Sequence, residues 1–153
     1  CTGRIERVGA GVTEVSTGDL VVAVAPGSHD GYVLAEAALT APRPEWMSPE
    51  EAITIPISYL TASYTLERLA RMKSGDRVLI HAATGGVGLA AVRLAQRAGA
   101  EIFATAGSDA KRNYLRGLGV RHVYNSRSLD FADQILADTN DAGVDIVLDS
   151  VAD

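Results

Sequence analysis

A strand candidate, Arg77 to His81, runs directly into Ala82-Ala83-Thr84-Gly85-Gly86-Val87-Gly88, and a helix candidate, Val87 to Ala98, runs directly out of it. The spacing Ala82-x-x-Gly85-x-x-Gly88 is a variant of the G-x-G-x-x-G phosphate loop, in the strand-to-helix setting that motif requires. Each glycine has a physical task. Gly85 and Gly86 let the backbone approach a pyrophosphate without a Cβ in the way, and Gly88 lets the helix pack tightly on the sheet. The helix N-terminus then offers free N–H groups and a partial positive charge to an anion. The helix is amphipathic, with Val87, Ala91, Leu94, Ala95 and Ala98 on one side and Arg93, Gln96 and Arg97 on the other. The alternative reading of the loop, a tight β-to-α turn with no ligand, stays open at this point.

The surroundings of the loop define the fold class. From Arg77 onward strands and helices alternate: Arg77 to His81, Val87 to Ala98, Glu101 to Thr105, Asp109 to Gly117, His122 to Tyr124, Leu129 to Ala137 with Ser128 as its N-cap, and Val144 to Leu148. Connections are short and several strands are apolar on both faces, which predicts a parallel sheet covered by helices on both sides. Right-handed crossovers make it a Rossmann-type sheet, with ligand at the carboxyl ends of the strands. Upstream, Ser48-Pro49-Glu50-Glu51 is a capping box opening a helix, and a further helical stretch runs from Ile57 to Met72. Before the Pro42-Arg43-Pro44 break the character differs. Gly3, Gly9, Gly11, Gly18, Gly27 and Gly31 punctuate short β-prone runs such as Val21 to Val24, as in antiparallel strands joined by turns.

Composition narrows the function classes. The 153 residues are 47% apolar and 22% charged, as in a globular chain. Fourteen Lys and Arg against nineteen Asp and Glu leave a net charge of −5, which argues against an electrostatic nucleic-acid binder. One cysteine, Cys1, excludes a disulfide framework and a Cys-cluster zinc site. The run Leu20 to Ala25 is too short to span a bilayer, and with no signal peptide in view the expected location is cytoplasmic. The chain opens at Cys1 and closes at Val151-Ala152-Asp153 directly after a strand-like run, so it reads as an excerpt of a longer protein.

The end of the second strand bears on cofactor choice. NAD sites place an acid about 20 residues beyond the glycines, to hold the ribose hydroxyls. Here the stretch is Thr105-Ala106-Gly107-Ser108-Asp109-Ala110-Lys111-Arg112, whose strand end carries no acid, while Asp109 fits a first-turn helix position. Ser108 can bond a 2′-phosphate and Lys111 and Arg112 can neutralise it, so NADPH fits better than NADH, with a solvated basic turn as the alternative. The same missing acid counts against a methyltransferase. Other candidates read as structural. His81 follows an apolar strand and suits packing or hydrogen bonding, and His29 and His122 make no metal-ligand spacing. Ser63, Ser126 and Ser150 lack the G-x-S-x-G setting of a hydrolase nucleophile.

Longer stretches resemble a known family. Gly3-x-Ile5-x-x-Val8-Gly9-x-Gly11-Val12 with Gly18-Asp19-x-Val21 resembles the GroES-like domain of medium-chain dehydrogenases/reductases. Ser48 to Ala52 and Pro56-x-x-x-Leu60-Thr61-Ala62 resemble the bridge into their cofactor domain. Val78 to Gly88, Phe103 to Ser108 with Lys111-Arg112, and above all Asn125-Ser126-Arg127-Ser128-Leu129-Asp130-Phe131 are similar to enoyl reductase domains of type I polyketide synthases and animal-type fatty acid synthases. So is Val144 to Ser150, although the family usually has Asn at the position of Asp149. The resemblance implies an α/β chain in which residues 1–44 are part of a GroES-like β domain and residues 45–153 are part of a Rossmann NADP(H)-binding domain.

It also implies roles. Thr61 would lie near the nicotinamide or its phosphate. Thr84, Gly85, Gly86 and Val87 would hold the pyrophosphate, and Ser108 and Lys111 the 2′-phosphate. Ser126 and Arg127 would line the adenosine end, Tyr124 would flank the adenine, and Ser150 with Val151 would approach the nicotinamide. Zinc-dependent relatives place a Cys four residues before the Thr of the bridge motif; here that position is Ile57, which implies the zinc-free branch. The implied reaction is reduction of an α,β-unsaturated acyl thioester, carried on an acyl carrier protein, by NADPH. The proton donor is unknown, because the family's candidates would fall beyond Asp153. The resemblance admits a homodimer of the full-length protein. A quinone reductase of the same superfamily and a non-catalytic NADPH-binding module are the competing readings.

Overall fold

In the computed structural model, which describes residues 1–149, the pattern from Arg77 onward becomes a parallel sheet. Its strands are β4 (Arg77–Ile80), β5 (Glu101–Ala106), β6 (His122–Asn125) and β7 (Ile146–Leu148), in the order β6-β5-β4-β7. The first strand of the unit is thus central, with β5 on one side and β7 on the other. That reversal creates a crevice at the carboxyl ends of the strands, where open α/β sheets bind ligands. The connecting helices are α3 (Gly86–Ala98), α4 (Asp109–Gly117) and α5 (Asp130–Asp138).

Side-chain alternation along the strands separates two apolar layers. Val78, Ile80, Ile102, Ala104, Ala106 and Val123 face Ala90, Ala91, Leu94 and Ala95 of α3 and Leu115 of α4. The intervening Leu79, Phe103 and Tyr124 face Ile135 and Phe131 of α5. The sheet therefore has helices on both faces, as its doubly apolar strands predict. α3 ends where Gly99 turns to φ 73° and its N–H bonds the carbonyls of Ala95 and Gln96, a left-handed cap that glycine takes without strain.

The chain divides into compact units Cys1–Ile57 and Ser58–Asp153. In the first, β1 (Thr2–Arg4), β2 (Leu20–Ala23) and β3 (Thr40–Pro42) pair antiparallel in that order. α1 (Pro49–Ile53) has the predicted cap: Ser48 Oγ accepts from the Glu51 N–H and the Glu51 side chain from the Ser48 N–H. α1 packs on β1 within the first unit.

Local differences from expectation have local causes. The stretch from Ile57 to Met72 is not one α-helix: α2 (Pro56–Ser63) widens into a π turn at Tyr64–Leu69, where the Ala70 N–H reaches Thr65 O, and Arg71 then turns to φ 52°. Ser128 does not cap α5. Its hydroxyl donates instead to the Asp130 carboxylate at 2.9 Å, and Leu129 stands at the cap with no side-chain bond. No helix among the described residues is long and apolar enough to cross a membrane.

Candidate cofactor site

The glycine loop leaves β4 and turns back on itself before α3 begins. Ala82 is held at φ 46°, and its carbonyl accepts the Gly85 N–H at 2.8 Å. The Ala83 N–H donates to Thr105 O, tying the loop to β5, and Gly85 in extended conformation caps α3. Gly88 admits no other residue in this arrangement. A Cβ there would stand 2.5 Å from the Ala82 carbonyl oxygen and 2.7 Å from Ala83 Cα, both backbone atoms. The first turn of α3 is thus pressed against the loop, and its N–H groups face the carboxyl end of the sheet. Gly86 is also confined: a Cβ would lie 2.8 Å from Ser58 Oγ of α2. The glycines thus let the loop fold tightly on itself and against α2 directly before a helix N-terminus, and this tight strand-to-helix loop fits a nucleotide pyrophosphate.

The second part of the site stands where β5 and β6 end. Their parallel register pairs Ala106 with Asn125, so the residues after each strand emerge side by side. The Ser126 N–H bonds Ala106 O at 3.3 Å. The Arg127 N–H bonds Asn125 Oδ1, and the Arg127 side chain lies back over Gly107, where a Cβ would meet Nε at 2.8 Å. Ser108 caps α4 and accepts from the Lys111 N–H. Ser108, Lys111, Ser126 and Arg127 are all solvent-accessible around this exit. Among the described residues neither the Lys111 ammonium nor the Arg127 guanidinium has an acidic partner within ion-pair distance. Two cations, two serines and the N-terminus of α4 therefore lie at the adjoining exits of β5 and β6, a setting suited to a phosphomonoester.

Arg112 belongs to the framework rather than to this cluster. Its guanidinium donates to Ala106 O at 3.0 Å and pairs with Asp109 at 2.5 Å, leaving the side chain 14% exposed. Asp109 is thereby a helix-start acid and ion-pair partner. His81 is hydrogen-bonded, Nδ1 to Thr105 Oγ1 at 3.0 Å, with its ring edge-on to Phe131. Tyr124 does not flank an open adenine site: it is 6% exposed beneath α5, and its hydroxyl donates to Asp138 at 2.6 Å. Burial, then the Asp138 carboxylate, push the Tyr124 phenol above the ordinary tyrosine range. The same bond, ahead of one from His122, holds the Asp138 carboxyl below its ordinary value.

Of the remaining expected residues, Thr84 and Val87 bracket the two loop glycines, and Thr61 is exposed on α2, one turn beyond Ser58. Ser150, like Val151, lies outside the described residues. Two residues around the loop and its exits, Ser58 and Gly107, had no role in the reading of the sequence, and a third, Arg112, had been read with Lys111 as a phosphate-neutralising cation. Ser58 carries no motif, the Gly107 requirement depends on a side chain twenty positions away, and only packing separates Arg112 from Lys111. A surface depression of about 390 Å³ lined by Gly75, Gln96, Gly99, Glu101 and His122 lies at the opposite end of the strands.

Residues 86–153 match the family described as zinc-binding dehydrogenase. The described residues contain no group of three or more His, Cys, Asp and Glu able to hold a metal. A mycocerosic acid synthase-like polyketide synthase of Mycolicibacterium smegmatis is 51% identical over 97% of this chain. The chain spans 7% of that protein's length. The CurK enoyl reductase crystal structure superposes with a TM-score of 0.86 at 44% identity, over 100% of this chain and 46% of its own. The nucleotide-binding subdomain of the PpsC enoyl reductase domain from Mycobacterium tuberculosis is 57% identical, over 63% of this chain and 54% of its own, with a TM-score of 0.61. A mycobacterial protein, Rv1454c, solved in complex with NADPH, superposes with a TM-score of 0.90 at 33% identity, over 99% of this chain and 48% of its own.

Proposed function

The chain belongs to the medium-chain dehydrogenase/reductase superfamily and is of the polyketide synthase enoyl reductase type, and from that premise we propose that it holds NADPH for reduction of an α,β-unsaturated acyl thioester. The observation that carries the cofactor reading is the cradle at Gly85, Gly86 and Gly88 together with the cations of the β5 and β6 exits. In this reading the N–H groups of Thr84, Gly86 and Val87 hold the pyrophosphate, and Gly85, whose N–H is taken by Ala82 O, shapes the loop beside it. Ser108, Lys111 and Arg127 hold the 2′-phosphate, Ser126 lines the adenosine end, and Thr61 stands toward the nicotinamide.

When bound, NADPH supplies the hydride for the β-carbon of the thioester, and a proton delivered to the α-carbon completes the saturated acyl chain. The residues of this chain bind and orient. The α3 and α4 N-termini place positive potential at the pyrophosphate and 2′-phosphate, and the cations favour the phosphorylated ribose over the plain one. Ile57, at the position where zinc-dependent relatives carry Cys, supports a site without zinc. The substrate reading rests on the likeness to polyketide synthases, in which the thioester would arrive on an acyl carrier partner.

The test uses the full-length protein, with NADPH or NADH and either a crotonyl thioester or a quinone. Oxidation of NADPH with crotonyl thioester, and little with NADH, is the expected result. Turnover with quinone alone would replace the thioester reading by the quinone reductase one. Tight NADPH binding with turnover of neither acceptor would make this a non-catalytic binding module.

A further inference from the structure

Ser58 stands where an otherwise apolar helix face reaches the phosphate cradle. Ala62, one turn C-terminal to it on the same face of α2, is fully buried, and Leu66 in the following π turn is 1% exposed. Carried back one turn, that face passes over the first turn of α3, and there the sequence has a serine. The Ser58 Oγ lies 2.8 Å from the point where a Gly86 Cβ would stand. Among the described residues its hydroxyl makes no hydrogen bond, whereas Thr65 in the following π turn bonds the carbonyls of Thr61 and Ala62. Ser58 lies in the first turn of α2, where the carbonyl four residues back is outside the helix, so its donor is free beside the positive end of α3.

We propose that the Ser58 hydroxyl donates a hydrogen bond to the pyrophosphate of the nucleotide held at Gly85, Gly86 and Val87. The inference rests on the cofactor reading above and adds a side-chain donor to a site otherwise built from backbone N–H groups. It also explains Gly86. A side chain at that position would displace the Ser58 hydroxyl as well as crowd the phosphates.

The experiment titrates the full-length protein and its Ser58→Ala and Ser58→Asp variants with NADPH and with adenosine 2′-monophosphate, which carries the 2′-phosphate but no pyrophosphate. Loss of one hydrogen bond to a charged oxygen should weaken NADPH binding about ten-fold in Ser58→Ala. Ser58→Asp, which sets a carboxylate against the phosphates, should weaken it on the order of 100-fold. Binding of adenosine 2′-monophosphate should be unchanged in both, which also reports an intact fold. NADPH affinity retained by Ser58→Ala, or equal loss of both ligands, overturns the assignment. A parent protein that binds neither ligand overturns the cofactor reading itself, and this inference with it.

Discussion

The Cβ that Gly107 lacks would stand 2.8 Å from Nε of Arg127, so glycine at the exit of β5 makes room for an arginine from the exit of β6. The two residues are twenty positions apart and meet because β5 and β6 are parallel neighbours in a register that pairs Ala106 with Asn125. Gly107→Ala should therefore move Arg127 off the strand exit. The expected outcome is a loss of NADPH affinity of several-fold with little change in global stability, measured by fluorescence titration beside a urea melt.

Lys111 and Arg127 should each favour NADPH over NADH. Their charges are exposed, so each contact with a 2′-phosphate is screened, and about ten-fold per residue is the expected scale. Lys111→Ala and Arg127→Ala should weaken NADPH binding by that factor and leave NADH binding unchanged. Equal losses for both nucleotides would place these side chains elsewhere on the cofactor.

Gly88→Ala should be the most damaging single methyl in the cradle. The added carbon would meet backbone at 2.5 and 2.7 Å, which no rotamer change relieves, so the loop or α3 must shift. A loss of about 1–3 kcal/mol in urea denaturation is expected, as for overpacking generally. Nucleotide binding should fall with it.

Ala82 offers a change in the opposite direction. At φ 46° an alanine occupies left-handed space that costs an L-residue about 1–2 kcal/mol, partly offset in a glycine variant by its greater unfolded-state entropy. Ala82→Gly should stabilise the protein by about 0.5–1 kcal/mol. A lowered urea midpoint would contradict the strain assigned to this position.

The Tyr124 to Asp138 bond makes stability depend on pH at both ends. Asp138 has its folded pKa below the ordinary value, chiefly through the Tyr124 hydroxyl. Its contribution is present above about pH 4, the unfolded carboxylate range, and is lost as the pH falls through the folded value. Tyr124 has its folded pKa raised by burial and by Asp138, so its contribution is present below about pH 10 and is lost as the pH climbs through the folded value. Tyr124→Phe keeps the ring and removes the donor. Denaturation midpoints across pH should show both dependences flattened in this variant.

Much of the fold was legible from residues alone. The alternation of short apolar runs with amphipathic segments predicted the parallel sheet, and α4 spans Asp109–Gly117, the bounds read from the sequence. The strand-to-helix glycine loop marked where a nucleotide would enter. These features are local: a cap, a period and a missing Cβ each act within a few residues of chain, so sequence carries them directly.

What the residues alone could not decide was where side chains far apart in sequence meet. Lys111 and Arg112 read alike as cations, yet packing commits Arg112 to Ala106 O and Asp109 and leaves Lys111 at the strand exit. Tyr124 read as an adenine neighbour, yet strand alternation turns it under α5 toward Asp138. Ser58 carried no signal until α2 brought it against Gly86. Periodicity and capping are properties of neighbouring residues, whereas a binding site is a set of distances between elements, and those distances exist only once the sheet has set its strand order and register.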